Sequence, residues 1–128
     1  MKAIIAINKK GVIGHKGKLP WRCKEDLKHF KKLTEGSSCV VGRKTAEKLP
    51  KLKNRALYIA SSENSIASIM KFKPDWVIGG AEIYRQLLPL CDEIHVSLID
   101  DDSEGDTTFE IPSSLKDRCV YYNFSIDE

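Results

Sequence analysis

Ala3-Ile4-Ile5-Ala6-Ile7 is an unbroken apolar run rich in β-branched residues. A strand with one wet face alternates apolar and polar side chains. A run without alternation therefore predicts a central strand covered on both faces. Outward from it, short apolar runs alternate with helical patterns. Lys24–Thr34 predicts a helix with Leu27, Phe30 and Leu33 on one face and Lys24, Glu25, Lys28, Lys31 and Lys32 in water; Gly36 suits its end. Ser38–Val41 predicts a second strand, with Gly42 leading into a short helix over Arg43–Lys48. Ala56–Ala60 predicts a third strand, ending at Ser61-Ser62, and Ser65–Met70 a short helix. Trp76-Val77-Ile78 predicts a fourth strand, followed by Gly79-Gly80 and a helix over Ala81–Leu88. Glu93–Ile99 and Val120–Ser125 predict the fifth and sixth strands. This alternation implies an α/β fold: a central, mostly parallel sheet flanked by helices, with ligands at the C-terminal ends of the strands. No linker interrupts it, so residues 1–128 read as a single domain.

The composition suits that reading. With 128 residues, 41% hydrophobic by type, the chain can bury a core without disulfide or metal staples. Its longest apolar runs are strand-sized, far short of a membrane span. Residues 1–7 carry Lys2 but no long apolar core, so no signal peptide is expected and the cytoplasm is the expected compartment. Charge is divided unevenly: 16 basic against 4 acidic side chains in residues 1–56, and 5 against 14 in residues 57–128. A basic half attracts anions. Its lysines are dispersed and lack a basic-aromatic stacking pattern, which disfavours nucleic acid and leaves a small polyanionic ligand open. Cys23, Cys39, Cys91 and Cys119 are widely spaced, and His15, His29 and His95 show no ligand spacing with them, so reduced thiols and no metal are expected. Cys39 and Cys91 read as small hydrophobes, and Cys23 is open.

Three features stand out. Asp26 shares a helix stripe with Phe30 and Leu33, where a carboxylate is costly to bury unless paired. Either it is a first-turn acid favoured by the helix dipole, or it holds a heterocycle and handles a proton near neutral pH. Gly42-Arg43-Lys44-Thr45 sits at a strand-to-helix junction, as an anion site or as a simple turn with solvated bases. Ile78-Gly79-Gly80-Ala81 ends another strand before another helix, and a glycine pair permits the close backbone approach a pyrophosphate needs. Two such junctions suggest a nucleotide laid across the sheet edge.

Taken in order, these residues resemble dihydrofolate reductase. Ala6, Ile13-Gly14, Leu19-Pro20-Trp21, Asp26-Leu27 and Phe30 follow the family's opening pattern at family-like spacing. Val41-Gly42-Arg43-Lys44-Thr45, Asn54-Arg55, the glycine-pair stretch Ile78–Tyr84 and Glu104-Gly105-Asp106-Thr107-Thr108-Phe109 continue it. The similarity spans roughly residues 2–125. It implies a three-layer α/β/α fold and reduction of 7,8-dihydrofolate to tetrahydrofolate by hydride transfer from NADPH, in one-carbon metabolism.

The resemblance also implies roles. Asp26 would bind the pterin 2-amino and N3 groups and support protonation at N5, with Trp21 ordering a water and Leu19 beside it. Ile5, Ala6, Leu27, Phe30, Leu49, Leu52 and Ile78 would wall the pterin and aminobenzoyl groups, and Ser97 would stand behind Asp26. Arg55 would pair with the α-carboxylate of the glutamate tail, a use suited to a planar guanidinium. Gly42, Arg43, Lys44, Thr45, Ser61 and Ser62 would take the NADPH phosphates. Ala6, Ile13, Gly14 and Thr107 would join the cofactor site, as would Ala81, Glu82, Ile83 and Tyr84 after Gly79 and Gly80, which the family joins by a cis peptide. The segment from Asn8 to Cys23 would be a mobile loop contacting Asp106. Antifolates would bind the substrate site. A monomer is expected, with a dimer left open.

Departures from the family pattern bear on the cofactor. Little lies between Ser62 and Trp76, where part of the adenosine region is usual, and one C-terminal strand replaces a longer antiparallel pair. Glu82 stands where a basic residue often meets the 2′-phosphate. Two other readings are a non-catalytic copy that binds folate or NADPH, and a riboflavin-pathway reductase domain, which shares the fold. Asp26 beside Leu27 and Phe30, with Arg55, argues against the latter.

Overall fold

Six strands form one sheet in the order β4-β3-β5-β1-β6-β8, and every neighbouring pair in it is parallel. They are β1 (Lys2–Asn8), β3 (Ser38–Gly42), β4 (Ala56–Ala60), β5 (Trp76–Val77), β6 (Glu93–Asp100) and β8 (Cys119–Ser125). This computed structural model describes residues 1–16, 19–49 and 53–126; Leu52, expected in the pterin wall, lies outside them. The helices are α1 (Lys24–Thr34), α2 (Arg43–Lys48), α3 (Ile66–Met70) and α4 (Ala81–Leu87). Ser65 caps α3, its hydroxyl accepting from Ser68 N at 3.2 Å. Pro89 ends α4 one residue earlier than its apolar pattern suggests, and Leu88–Leu90 tighten into a 3-10 turn.

The doubly apolar reading of β1 holds because the sheet is covered on both sides. On one side Ile4, Cys39, Val41, Trp76 and Ile78 pack with Phe30 and Leu33 of α1, Ala46 of α2 and Leu49. On the other, Ala3, Ile5, Val40, Val77, Ile94 and Val96 pack with Ile69 of α3 and Ile83, Tyr84 and Leu87 of α4. These two clusters make the three layers. Cys39 and Cys91 are buried small side chains, and burial pushes each thiol up to about 11. Cys23 is also buried, and its Sγ donates to the Ser125 carbonyl at 3.3 Å.

Two short strands escape local pattern reading. β2 (Val12–Gly14) pairs antiparallel with β7 (Thr107–Thr108), and Ser113–Arg118 forms a 3-10 helix before β8. Asn8 holds this annex at the C-terminal end of β1. Its Oδ1 accepts from Lys10 N and Val12 N at 3.0 and 2.9 Å, and its Nδ2 donates to Asp101 Oδ2 and the Ser103 carbonyl at 3.1 and 2.8 Å.

Candidate active site

The glycine-rich ends of β3 and β5 lie side by side: Gly42 N donates to the Gly79 carbonyl at 2.8 Å. The Gly79–Gly80 peptide is cis, and Gly79 has φ +123°. A Cβ on Gly80 would stand 2.9 Å from Thr45 Oγ1, and one on Gly42 would stand 3.3 Å from Ile83 Cγ1. Only glycine lets the starts of α2 and α4 meet this closely. The first N–H groups of both helices therefore open at one junction, as an anion requires. Arg43 and Lys44 are exposed there. Arg43 also reaches Glu47 at 3.0 Å, while Glu82 pairs with Arg85 inside α4, so the acid at position 82 is answered locally. Ser61 Oγ accepts from Glu63 N and Asn64 N, each at 3.2 Å, which places its hydroxyl at the turn after β4.

Ile83 and Tyr84 lie against the glycine junction. Their side chains are buried, and Tyr84 Oη donates to the Ile4 carbonyl at 2.7 Å. They support the glycine pair from beneath. Burial holds the Tyr84 phenol far above its ordinary range, so it stays a donor.

Asp26 sits in the first turn of α1 with 8% of its surface exposed. Burial pushes its carboxyl upward; the Ser97 hydroxyl and the charge of His29 oppose that. Ser97 Oγ is buried beside Asp26, and Trp21 Nε1 is buried without a hydrogen-bond partner among the described residues. Trp21 belongs to the cluster containing Ile99 and Ala6, and Ala6 is paired with Ser97 across the sheet. A buried acid, the Ser97 hydroxyl that offsets its burial and the Trp21 indole N–H thus share one end of the sheet. Such groups are expensive to leave unpaired in a core.

The apolar wall is built from Phe30, Ile78 and Leu49, while Leu27 and Leu19 are 39% and 47% exposed. Ile5 does not belong to it. Only 1% exposed, Ile5 packs on the opposite face with Val40 and Tyr84, and Ile4 is the β1 residue beside Phe30 and Ile78. At the far end Arg55 Nε donates to Thr34 Oγ1 at 2.8 Å, and its two Nη atoms donate to the Lys53 and Lys31 carbonyls. A guanidinium has five N–H groups, so one remains on each Nη, and a carboxylate can still take both. Sequence reading missed Thr34, whose fully buried hydroxyl also donates to the Phe30 carbonyl at 2.8 Å. Its spacing of eight from Asp26 was the available signal.

The β2–β7 annex carries Ile13, Gly14 and Thr107 to the same end of the sheet. A Cβ on Gly105 would lie 2.5 Å from the Gly14 carbonyl, so that contact admits only glycine. Lys16 N donates to Asp106 Oδ2 at 2.8 Å, the expected contact between the first loop and Asp106. That bond and the Thr107 hydroxyl hold the Asp106 carboxyl below its ordinary value.

The sequence profile of the family described as dihydrofolate reductase matches residues 1–117. This chain belongs to the dihydrofolate reductase family. Dihydrofolate reductase type 1 of Escherichia coli is 33% identical over 134 residues, covering 91% of this chain and 85% of its own length. Dihydrofolate reductase of Mycoplasma genitalium is 31% identical over 150 residues, covering 98% and 94%. The solved structure of the Enterococcus faecalis dihydrofolate reductase complexed with NADP(H) and RAB-propyl superposes with a TM-score of 0.76 at 32% identity, covering 88% of this chain and 77% of that one. Dihydrofolate reductase membership agrees with an α/β chain that joins a glycine cradle to a buried acid.

Proposed function

We propose that this chain reduces 7,8-dihydrofolate to tetrahydrofolate with NADPH in the cleft between α1 and the ends of β1, β5 and β6, with Asp26 as the carboxyl that binds the pterin and supports protonation of N5. Family membership carries the reaction and the cofactor. The observation that carries the residue roles is the setting of Asp26, buried in the first turn of α1 beside the Ser97 hydroxyl. A planar edge with an amino group and a ring N–H offers that carboxyl two parallel hydrogen bonds.

The residues at the glycine junction fit NADPH. The space at Gly80 is one a Cβ would close, and Arg43, Lys44, Thr45, Ser61 and Ser62 place cations and hydroxyls around the N–H groups of α2 and α4. When bound, NADPH supplies the hydride that the pterin C6 accepts. The chain does the rest. Asp26 fixes the pterin edge, Trp21 Nε1 offers the donor that would order a water for N5, and Ile4, Phe30, Leu49 and Ile78 exclude other water. Arg55 takes the α-carboxylate of the tail, held in place by Thr34 and the end of α1. Reaction geometry, not covalent chemistry, is the protein's share.

No helix among the described residues is long and apolar enough to cross a membrane. The finer reading is a cytoplasmic monomer, residues 1–128 forming one domain, with antifolates competing for the pterin pocket; sedimentation of the purified protein checks the monomer. The deciding experiment follows NADPH oxidation by its near-ultraviolet absorbance with dihydrofolate, with Asp26→Asn alongside. Turnover that falls about 10²–10⁴-fold in the variant at neutral pH, and partly recovers in acid where substrate arrives protonated, supports the assignment. An unchanged rate across pH overturns it.

A further inference from the structure

His29 lies three residues beyond Asp26 on α1, a spacing that places both on one face of the helix. Its ring is clamped by β8: the Tyr122 ring centroid is 4.1 Å away and that of Phe124 is 5.5 Å away. Among the described residues its Nε2 is buried without a hydrogen-bond partner. A phenyl ring would fill such a clamp without leaving a ring nitrogen unsatisfied, so packing alone does not account for a histidine here.

The clamp itself is fixed from beneath. Tyr122 Oη is 2.8 Å from His95 Nδ1, and His95 Nε2 is 3.0 Å from Glu93 Oε1. With the Glu93 carboxylate accepting from Nε2–H, Nδ1 accepts the Tyr122 hydroxyl, and every polar atom in that chain is matched. His95 also lies against Trp76, with centroids 5.3 Å apart. The groups facing His29 are therefore Asp26 and Lys32 from α1, His95 and Glu93 behind it from β6, and Tyr122 from β8.

We propose that His29 is a positioning residue for Asp26, the two forming a coupled proton-binding pair in which a proton on either group disfavours a second proton on the other. This rests on the assignment of Asp26 as the carboxyl that handles the pterin. The electrostatics agree in both directions: the His29 charge lowers the Asp26 carboxyl, and the Asp26 charge raises the His29 imidazole against burial, His95 and Lys32, which lower it. Coupled groups titrate in two macroscopic steps that belong to the pair. The cleft then holds one proton over a wider pH range than Asp26 alone.

The test titrates the His29 ring and the Asp26 carboxyl by NMR in wild type, Asp26→Asn and His29→Phe. The expected result is that the imidazole midpoint falls when Asp26 is neutralised, and the carboxyl midpoint rises when His29 becomes Phe. The pH profile of turnover in His29→Phe moves to higher pH, whatever its plateau does. Independent titrations overturn the pairing, and so does a uniform loss of turnover with an unmoved profile, which is what a purely structural ring would give. If His29→Phe does not fold, the imidazole shift between wild type and Asp26→Asn still decides. The titrations need no turnover, so they separate failure of the pair from failure of the catalytic assignment, which Asp26→Asn kinetics test on their own.

Discussion

The Tyr84 hydroxyl donates a 2.7 Å hydrogen bond to the carbonyl of Ile4, joining α4 to the central strand directly beneath Gly79. The bond is buried, and Ile4 is the residue whose side chain turns toward Phe30 and Ile78. One phenol thus orders both the floor of the glycine cradle and the strand that carries Ile4 against Phe30 and Ile78. Tyr84→Phe removes this buried hydrogen bond, at a cost of about 1–3 kcal/mol. Urea unfolding checks this, and NADPH and dihydrofolate affinities should weaken together.

Gly80 admits no side chain, because its Cβ would lie 2.9 Å from Thr45 Oγ1. Gly80→Ala should cost about 1–3 kcal/mol by overpacking. Thr45→Ala in the same chain should recover part of that loss, since the clash is with that one hydroxyl. A double-mutant cycle of unfolding free energies reads the coupling, and additive losses would contradict the contact.

Asp26 makes stability depend on pH in a stated direction. Burial raises its carboxyl in the folded state, so the folded chain binds the proton more tightly than the unfolded one. That contribution is fully present below the ordinary carboxylate pKa and is lost as pH rises through the folded value. Asn has no such dependence. Asp26→Asn should therefore gain on wild type between pH 4 and pH 7, as paired urea midpoints at the two pH values will show, while its turnover falls.

Arg55 is tied to the end of α1 through Thr34 and two carbonyls, with one N–H left on each Nη for a ligand. Arg55→Leu should weaken dihydrofolate far more than NADPH, by about 1.5–3 kcal/mol for the charged hydrogen bonds. Calorimetry with each ligand checks it. Equal losses would mean that the guanidinium serves the helix end and not the tail.

Much of this architecture is written in local pattern. Lys24–Thr34 runs between the residues its periodicity names, because a helix records its buried face every 3.6 residues and Gly36, at φ +74°, stops it. The glycine pair and the Arg55 and Asp26 positions were legible because motif spacing survives without knowledge of the packing. The annex of β2 and β7 was not. Two or three residues are too short for a period, and Gly14 meets Thr107 only when the sheet brings distant segments together.

By itself, then, the sequence determined that β1 would be covered on both faces, that strands and helices would alternate, and that two glycine-marked junctions would follow strand ends. Which β1 side chain packs against α1 was decided only by tertiary structure. A run apolar on both sides carries no signal of which side is which, and the choice of Ile4 over Ile5 comes from α1 packing on one face and α4 on the other. The neighbours of His29 were settled the same way. Tyr122, Phe124 and His95 lie far along the chain, and only the parallel pairing of β6 with β8 sets them against α1, because sheet register joins residues that local periodicity cannot relate.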